Sequence, residues 1–228
     1  MKIYHGSTYI IEEPKLELGK KNNDYGQGFY TTPDIELAKE WACQKNQDGY
    51  ANEYELNIKE LKVMDLESSE YNILNWIAIL LNNRKFILKS NLSITAKNYL
   101  LKNFLPNVNE YDIIKGYRAD DSYFNYANDF INNVISVKEL EEAMKLGNLG
   151  IQMQLRTKEA FKRIKFIDVI EANKTEYFQK YIDRDRKARE GYRKIQGDLQ
   201  SRDNLYILDI IRQEIKNDDS RIQRNIPR

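Results

Sequence analysis

Two stretches of strict alternation constrain this chain most. In Tyr50–Ile58, the residues Tyr50, Asn52, Tyr54, Leu56 and Ile58 fall on one side, and Ala51, Glu53, Glu55 and Asn57 on the other. In Gly150–Arg156, Ile151, Met153 and Leu155 alternate with Gln152, Gln154 and Arg156. A period of two is the strand period, and each such strand must lay a face on a core. Further strands are expected at Lys2–His5, Gly28–Thr31, Tyr111–Arg118 and Lys165–Ile170. Helical spacing is expected over residues 69–83, 95–104 and 120–132. Strands and helices mix without a regular βαβ alternation, so the fold class is α+β rather than a doubly wound sheet.

Local signals set the expected ends. Thr32 reads as an N-cap and Pro33 as the first helical residue, with Asp34 and Glu36 at the positive helix end. Ile35, Ala38, Trp41 and Ala42 then recur on one helix face. Ser136 and Glu139 form a capping box, Gly147 closes that helix, and Thr157 caps a short one. The apolar run Ile73–Leu81, interrupted by Asn75, reads as a buried helix. It is far short of the roughly 20 residues that cross a bilayer. From Lys174 onward the chain is charged and helical. Leu205, Leu208, Ile211 and Ile215 make an apolar stripe that packs on the core or receives a partner. The expected division is a domain over residues 1–172 and a charged helical extension over residues 173–228.

Composition removes several chemistries. Sixteen tyrosines and eight phenylalanines in 228 residues suffice for a substantial core. A net charge of +1 gives no overall field toward nucleic acid or an anionic membrane. Cys43 and His5 are the single cysteine and the single histidine. An intrachain disulfide and a cysteine-rich zinc site are therefore excluded, and no metal is expected. Residues Met1–Ser7 lack the apolar core of a signal peptide. A cytoplasmic location without membrane contact is expected.

The chemistry-bearing residues lie near the start. His5, Gly6 and Ser7 precede the run Gly26, Gln27, Gly28, Phe29, Tyr30, and Trp41 follows eleven residues after Tyr30. As a dinucleotide fingerprint the glycine run fails, because Thr31 stands at the third glycine position. Singly, each feature is ordinary: a surface histidine, a glycine-rich turn, core aromatics. In this order they resemble the His-Tyr-Glu class of ADP-ribosyltransferases, which includes poly(ADP-ribose) polymerases and diphtheria-type toxins. Residues Gly116–Phe124 and Leu146–Ala160 are similar to runs in one bacterial branch of polymerase-like transferase domains, often encoded beside small antitoxin-like genes. The resemblance spans roughly residues 1–170.

That resemblance implies an α+β split β-sandwich with helical insertions, and NAD as substrate. It implies that His5 bonds the adenosine-side ribose and that the Gly6 backbone grips the nicotinamide carboxamide, with Ser7 and Gly28 in the same cofactor-binding segments. Tyr30 and Trp41 would sandwich the nicotinamide ring. The class carries a glutamate on a late strand, where it holds a ribose hydroxyl and stabilises developing positive charge. Here that strand offers Gln152 or Gln154, with Gln152 favoured. A glutamine can bond the ribose but supplies no negative charge. Asp120, Asp121 and Glu55 are the acids available to assist, the first two in an Arg-Ala-Asp-Asp run opened by Arg118.

The implied function is an NAD-dependent mono-ADP-ribosyltransferase, the toxin of a bacterial or phage toxin–antitoxin or defence system. Its partners would be NAD, a macromolecular acceptor (protein or nucleic acid) and a small antitoxin protein. The alternative is a module that binds NAD or ADP-ribose with little turnover.

Overall fold

A computed structural model describes residues 1–88, 90–119, 121–146, 150–197 and 204–223. Their order is β1 (Lys2–Ser7), β2 (Phe29–Thr31), α1 (Ile35–Ala42), β3 (Gly49–Leu56), β4 (Val63–Asp65), α2 (Ile73–Asn83), α3 (Asn91–Phe104) and β5 (Ile113–Tyr117). Then come α4 (Asp121–Ile131), α5 (Val137–Ala143), β6 (Ile151–Leu155), α6 (Lys158–Lys162), β7 (Ile164–Ala172), α7 (Lys174–Gly197) and α8 (Ile207–Arg212). The fold class is α+β.

The strands form two sheets. One is three-stranded and antiparallel, in the order β1-β3-β7; the other is four-stranded, in the order β2-β6-β5-β4, with only β4 and β5 parallel. Among the described residues a single bridge ties them: Tyr4 N–H donates to Thr32 O at 2.8 Å and Thr32 N–H to Tyr4 O at 2.9 Å. Beyond that bridge β1 and β2 part, and the gap between them is where the site forms.

Two cores follow from the alternation. Ile3, Phe29, Tyr54, Leu56, Ile113, Met153 and Leu155 pack between the sheets. On the opposite face of the four-stranded sheet, Met64 and Ile114 meet a helical layer centred on α2. Nine consecutive α2 residues, Ile73–Leu81, are buried, so this helix is apolar all round because it is covered all round. The one polar residue among these nine, Asn75, donates to Phe104 O at 2.8 Å.

The sequence reading needs correction at several helix ends. The cap of α1 is Asp34, whose Oδ1 accepts from Glu36 N at 2.8 Å and Leu37 N at 3.3 Å. Thr32 cannot serve, because its backbone is held in the bridge to Tyr4. The buried residues of α1 are Leu37, Ala38, Glu40 and Ala42, while Trp41 sits at a half-buried edge. α2 starts four residues later than the apolar pattern suggested, at an Asn72 cap, and α3 four residues earlier, at a Ser90 cap reciprocated by Ser93. The Ser136–Glu139 box and the Thr157 cap form as read; Gly147 lies outside the described residues. The strand β4 carried too little pattern in three residues to be recognised.

The C-terminal segment packs against the rest. Glu40 is 3% exposed and is held bidentately by Arg184 of α7, at 2.7 and 2.8 Å. Tyr192 stacks on Tyr126 with centroids 3.9 Å apart and donates to Asp129 Oδ2 at 2.6 Å. In α8 the inward residues are Ile207 and Ile210, with Ile215 after it, while Leu205 and Ile211 are partly buried. The stripe thus runs one position away from the expected Leu208 and Ile211, and the core takes it. No helix among the described residues is long and apolar enough to cross a membrane.

Candidate functional site

A cavity of about 230 Å³ opens where the two sheets part, lined by His5 and Gly6 of β1, Asn23 and Asp24 of the loop before β2, Tyr30 of β2, Trp41 of α1, Arg84, Arg118, Ala119, and Gln152 of β6. Five of the residues singled out from sequence for binding or catalysis (His5, Gly6, Tyr30, Trp41 and Gln152) meet here from four separate elements.

Gly6 shows how the local chain makes room. A Cβ there would lie 2.1 Å from Ala38 O and 2.8 Å from Ala42 N, so only glycine lets α1 press against β1. Strand alternation then fixes its polar groups. Tyr4 turns its N–H and C=O away from β3, toward Thr32, and Gly6, two residues on, turns its pair the same way. Among the described residues no other backbone group takes them, which leaves one donor and one acceptor side by side at the cavity.

His5 is held by β2. Its Nδ1 lies 2.6 Å from Tyr30 O, and its ring stacks on Phe29 with centroids 4.4 Å apart. A carbonyl only accepts, so Nδ1 carries the proton. Burial lowers the pKa of His5 below its ordinary value, against the opposing pull of the Tyr30 carbonyl. The neutral ring therefore presents Nε2 as an acceptor.

Tyr30 contributes its ring, not its hydroxyl. The phenol donates to Gly26 O at 2.6 Å and accepts from Tyr25 N at 3.0 Å. Burial pushes its pKa far up, so it is no proton donor or base near neutrality. Trp41 lies under Arg118, whose Cζ is 4.3 Å from the indole ring, a cation–π contact at the cavity rim.

The two glutamines of β6 divide. Gln154 is fully buried and donates to Tyr25 O at 2.9 Å and Gln27 O at 3.0 Å, so it anchors the glycine-rich turn from beneath. Gln152 lines the cavity; its Nε2 donates to Asp24 Oδ2 at 2.9 Å and Tyr117 O at 3.2 Å. Both partners are acceptors, which sets the amide's orientation and leaves Oε1 as its acceptor.

Asp24 was not foreseen. It sits in a polar loop that reads as exposed, yet it is 5% exposed. Oδ1 takes Arg84 Nη1 at 3.0 Å, and Oδ2 takes Ala119 N at 2.9 Å beside Gln152. Burial raises its carboxyl above the ordinary value, against the pull of Gln152, Ala119, Arg84 and Arg118. The atoms that meet it, Arg84 Nη1, Ala119 N and Gln152 Nε2, are all donors, so the geometry suits the ionised form. The signal in the sequence was the next residue: Tyr25, a bulky aromatic inside a polar loop. Its ring is buried and its hydroxyl donates to Tyr117 O at 2.5 Å, over Gly116, where a Cβ would lie 2.6 Å from that hydroxyl.

The remaining sequence candidates fall elsewhere. Gly28 packs on β6, where a Cβ would lie 2.5 Å from Leu155 O, so its glycine serves strand approach rather than the cavity. Ser7 Oγ accepts from Tyr9 N at 3.1 Å at the start of the following loop. Glu55 is exposed on β3 and lines a separate groove with Met1 and Arg163, which removes it as an assisting acid. Arg118 reaches the cavity; Asp120 lies outside the described residues, as does the side chain of Asp121. No cluster of metal-binding side chains occurs among the described residues.

The chain belongs to the family described as protein of unknown function (DUF3990), whose model matches residues 1–166. No curated protein and no solved structure matches it.

Proposed function

We propose that the protein is an NAD-dependent mono-ADP-ribosyltransferase built on a split β-sandwich of the ADP-ribosyltransferase kind. The observation that carries this is the convergence of His5, the Gly6 backbone pair, Tyr30, Trp41 and Gln152 on one cavity. Each offers the group that one part of NAD needs. The adjacent N–H and C=O of Gly6 match the C=O and N–H of a carboxamide. Tyr30 and Trp41 offer aromatic faces to the nicotinamide ring, each stacking contact adding about 0.5–1.5 kcal/mol beyond burial. Neutral His5 Nε2 and Gln152 Oε1 are acceptors for ribose hydroxyls. A cavity of about 230 Å³ suits the nicotinamide and its ribose, with the rest of the dinucleotide across the open rim near Arg84 and Arg118.

In the reaction the bond between ribose C1′ and the nicotinamide nitrogen breaks, and its electron pair leaves with nicotinamide. The electron-poor C1′ then takes a lone pair from the acceptor, which releases a proton. Held geometry supplies much of the rate. A glutamine at the third signature position favours single transfer over chain building. In cells this chemistry fits the toxin of a cytoplasmic toxin–antitoxin or defence system, restrained by a small antitoxin and aimed at a protein or nucleic acid.

Purified protein given labelled NAD in a whole lysate should label a macromolecule, and His5→Ala or Trp41→Ala should abolish it. Absence of any labelled product with the wild type contradicts transfer. Expression of the wild type should arrest growth where the Trp41→Ala variant does not; equal growth removes the toxin setting and leaves the enzyme. The uncharged Gln152 favours one other reading, a module that binds NAD or ADP-ribose without turnover. Calorimetric NAD binding with no nicotinamide release would select it.

A further inference from the structure

We infer that Asp24 supplies the negative charge that faces the reacting ribose, so that the carboxylate of this site comes from the loop before β2 and Gln152 holds it in place. This rests on the transferase reading and adds a catalytic group to it. Asp24 lines the same cavity as His5, Tyr30 and Gln152 and is 5% exposed. Its Oδ2 lies 2.9 Å from Gln152 Nε2, so the glutamine of the late strand and the loop carboxylate form one hydrogen-bonded unit. Charge and hydroxyl recognition, combined in one glutamate elsewhere, are divided between two side chains here.

The surroundings keep this carboxylate fixed. Gly26, at φ +89°, turns the loop, and its N–H donates to Asn23 O at 3.0 Å. The Tyr25 ring is sunk in the core on the next position, and Asn83 Nδ2 reaches Asp24 O at 3.4 Å. Arg84, at Oδ1, and Arg118, on the cavity wall, offset part of the charge, while Oδ2 is bonded by neutral donors, Gln152 and the Ala119 N–H. A buried anion fixed by three hydrogen bonds stabilises positive charge at C1′ without reorganising as the glycosidic bond breaks. Among the described residues Asp24 is the one carboxylate lining this cavity.

The test pairs turnover with a charge readout. Nicotinamide release by Asp24→Asn should fall about a hundredfold, the usual loss for one group aimed at developing charge, while NAD affinity changes little. Adding Gln152→Glu to that variant returns a carboxylate to the adjacent position and should recover about tenfold. Independently of turnover, the wild type should bind the cation 1-methylnicotinamide more tightly than neutral nicotinamide, and Asp24→Asn should erase that preference. Turnover by Asp24→Asn at the wild-type rate overturns the inference and leaves the transferase reading standing. A cation preference that depends on Asp24, in a wild type that releases no nicotinamide, keeps the anionic site and removes the transferase reading. No turnover and no cation preference removes both.

Discussion

The α2 layer and the cavity edge sit on the same four-stranded sheet and follow opposite rules. Around α2, burial is apolar and redundant: Leu74, Trp76, Ile77, Leu80 and their neighbours share the work of excluding water. At the cavity edge, Asp24, Gln152 and Gln154 are also buried, yet each is polar and each depends on two or three named partners. Apolar burial costs volume when it is lost; polar burial costs an unmatched group. The first sets global stability, and the second sets the shape and charge of a site in which small shifts matter.

The largest expected effect lies in the apolar layer. Trp76 is fully buried and also donates Nε1–H to Tyr117 O at 3.1 Å. Trp76→Ala should cost about 4 kcal/mol in urea unfolding. A loss below about 1 kcal/mol would show that this layer is less tightly filled than drawn. Next comes the ion pair that clamps α7 to α1. Arg184→Met leaves Glu40 buried without a partner, and should cost about 3 kcal/mol by the same assay.

The polar edge should give a smaller loss of stability. Gln154→Ala strips a donor from Tyr25 O and Gln27 O and should cost about 2 kcal/mol. It should also weaken NAD binding, because the turn it anchors holds Tyr30 through Tyr25 N and Gly26 O. If NAD affinity is untouched, the turn holds its shape without Gln154, and polar burial at the cavity edge is as redundant as the apolar layer.

The smallest effect is a pH dependence. His5 has its pKa lowered in the folded state, mainly by burial. The unfolded chain therefore binds the proton more readily. The stability that His5 contributes as a neutral ring is present above the ordinary histidine pKa of about 6.5 and is lost as pH falls through the lowered value. One proton limits the slope to about 1.4 kcal/mol per pH unit. His5→Asn should flatten that limb in unfolding measurements between about pH 7 and 5, a range set around that ordinary value. An unchanged limb would mean that the ring is not held neutral.

The strands were readable in advance because alternation is written directly in residue type, as in Gly150–Arg156. The cavity residues His5, Gly6, Tyr30 and Trp41 were singled out by their order along the chain and the resemblance it carries, since singly each is an ordinary residue. Asp24 was hidden because its burial is a tertiary event: Tyr25 is the single hint in a loop of Gly, Lys, Asn and Asp, and it says nothing of Arg84 and Ala119, which Asp24 meets. The expected cap at Thr32 failed for the same reason, since its backbone is claimed by Tyr4, 28 positions away.

The most direct test uses the single histidine. Its imidazole protons give one unambiguous set of NMR signals, and the cavity puts that ring beside Gly6 and Tyr30. Titration with NAD should move those signals saturably, with no comparable movement in a Trp41→Ala variant that remains folded. His5 signals that stay in place as NAD rises to millimolar concentration would contradict a nicotinamide-dinucleotide site in this cavity.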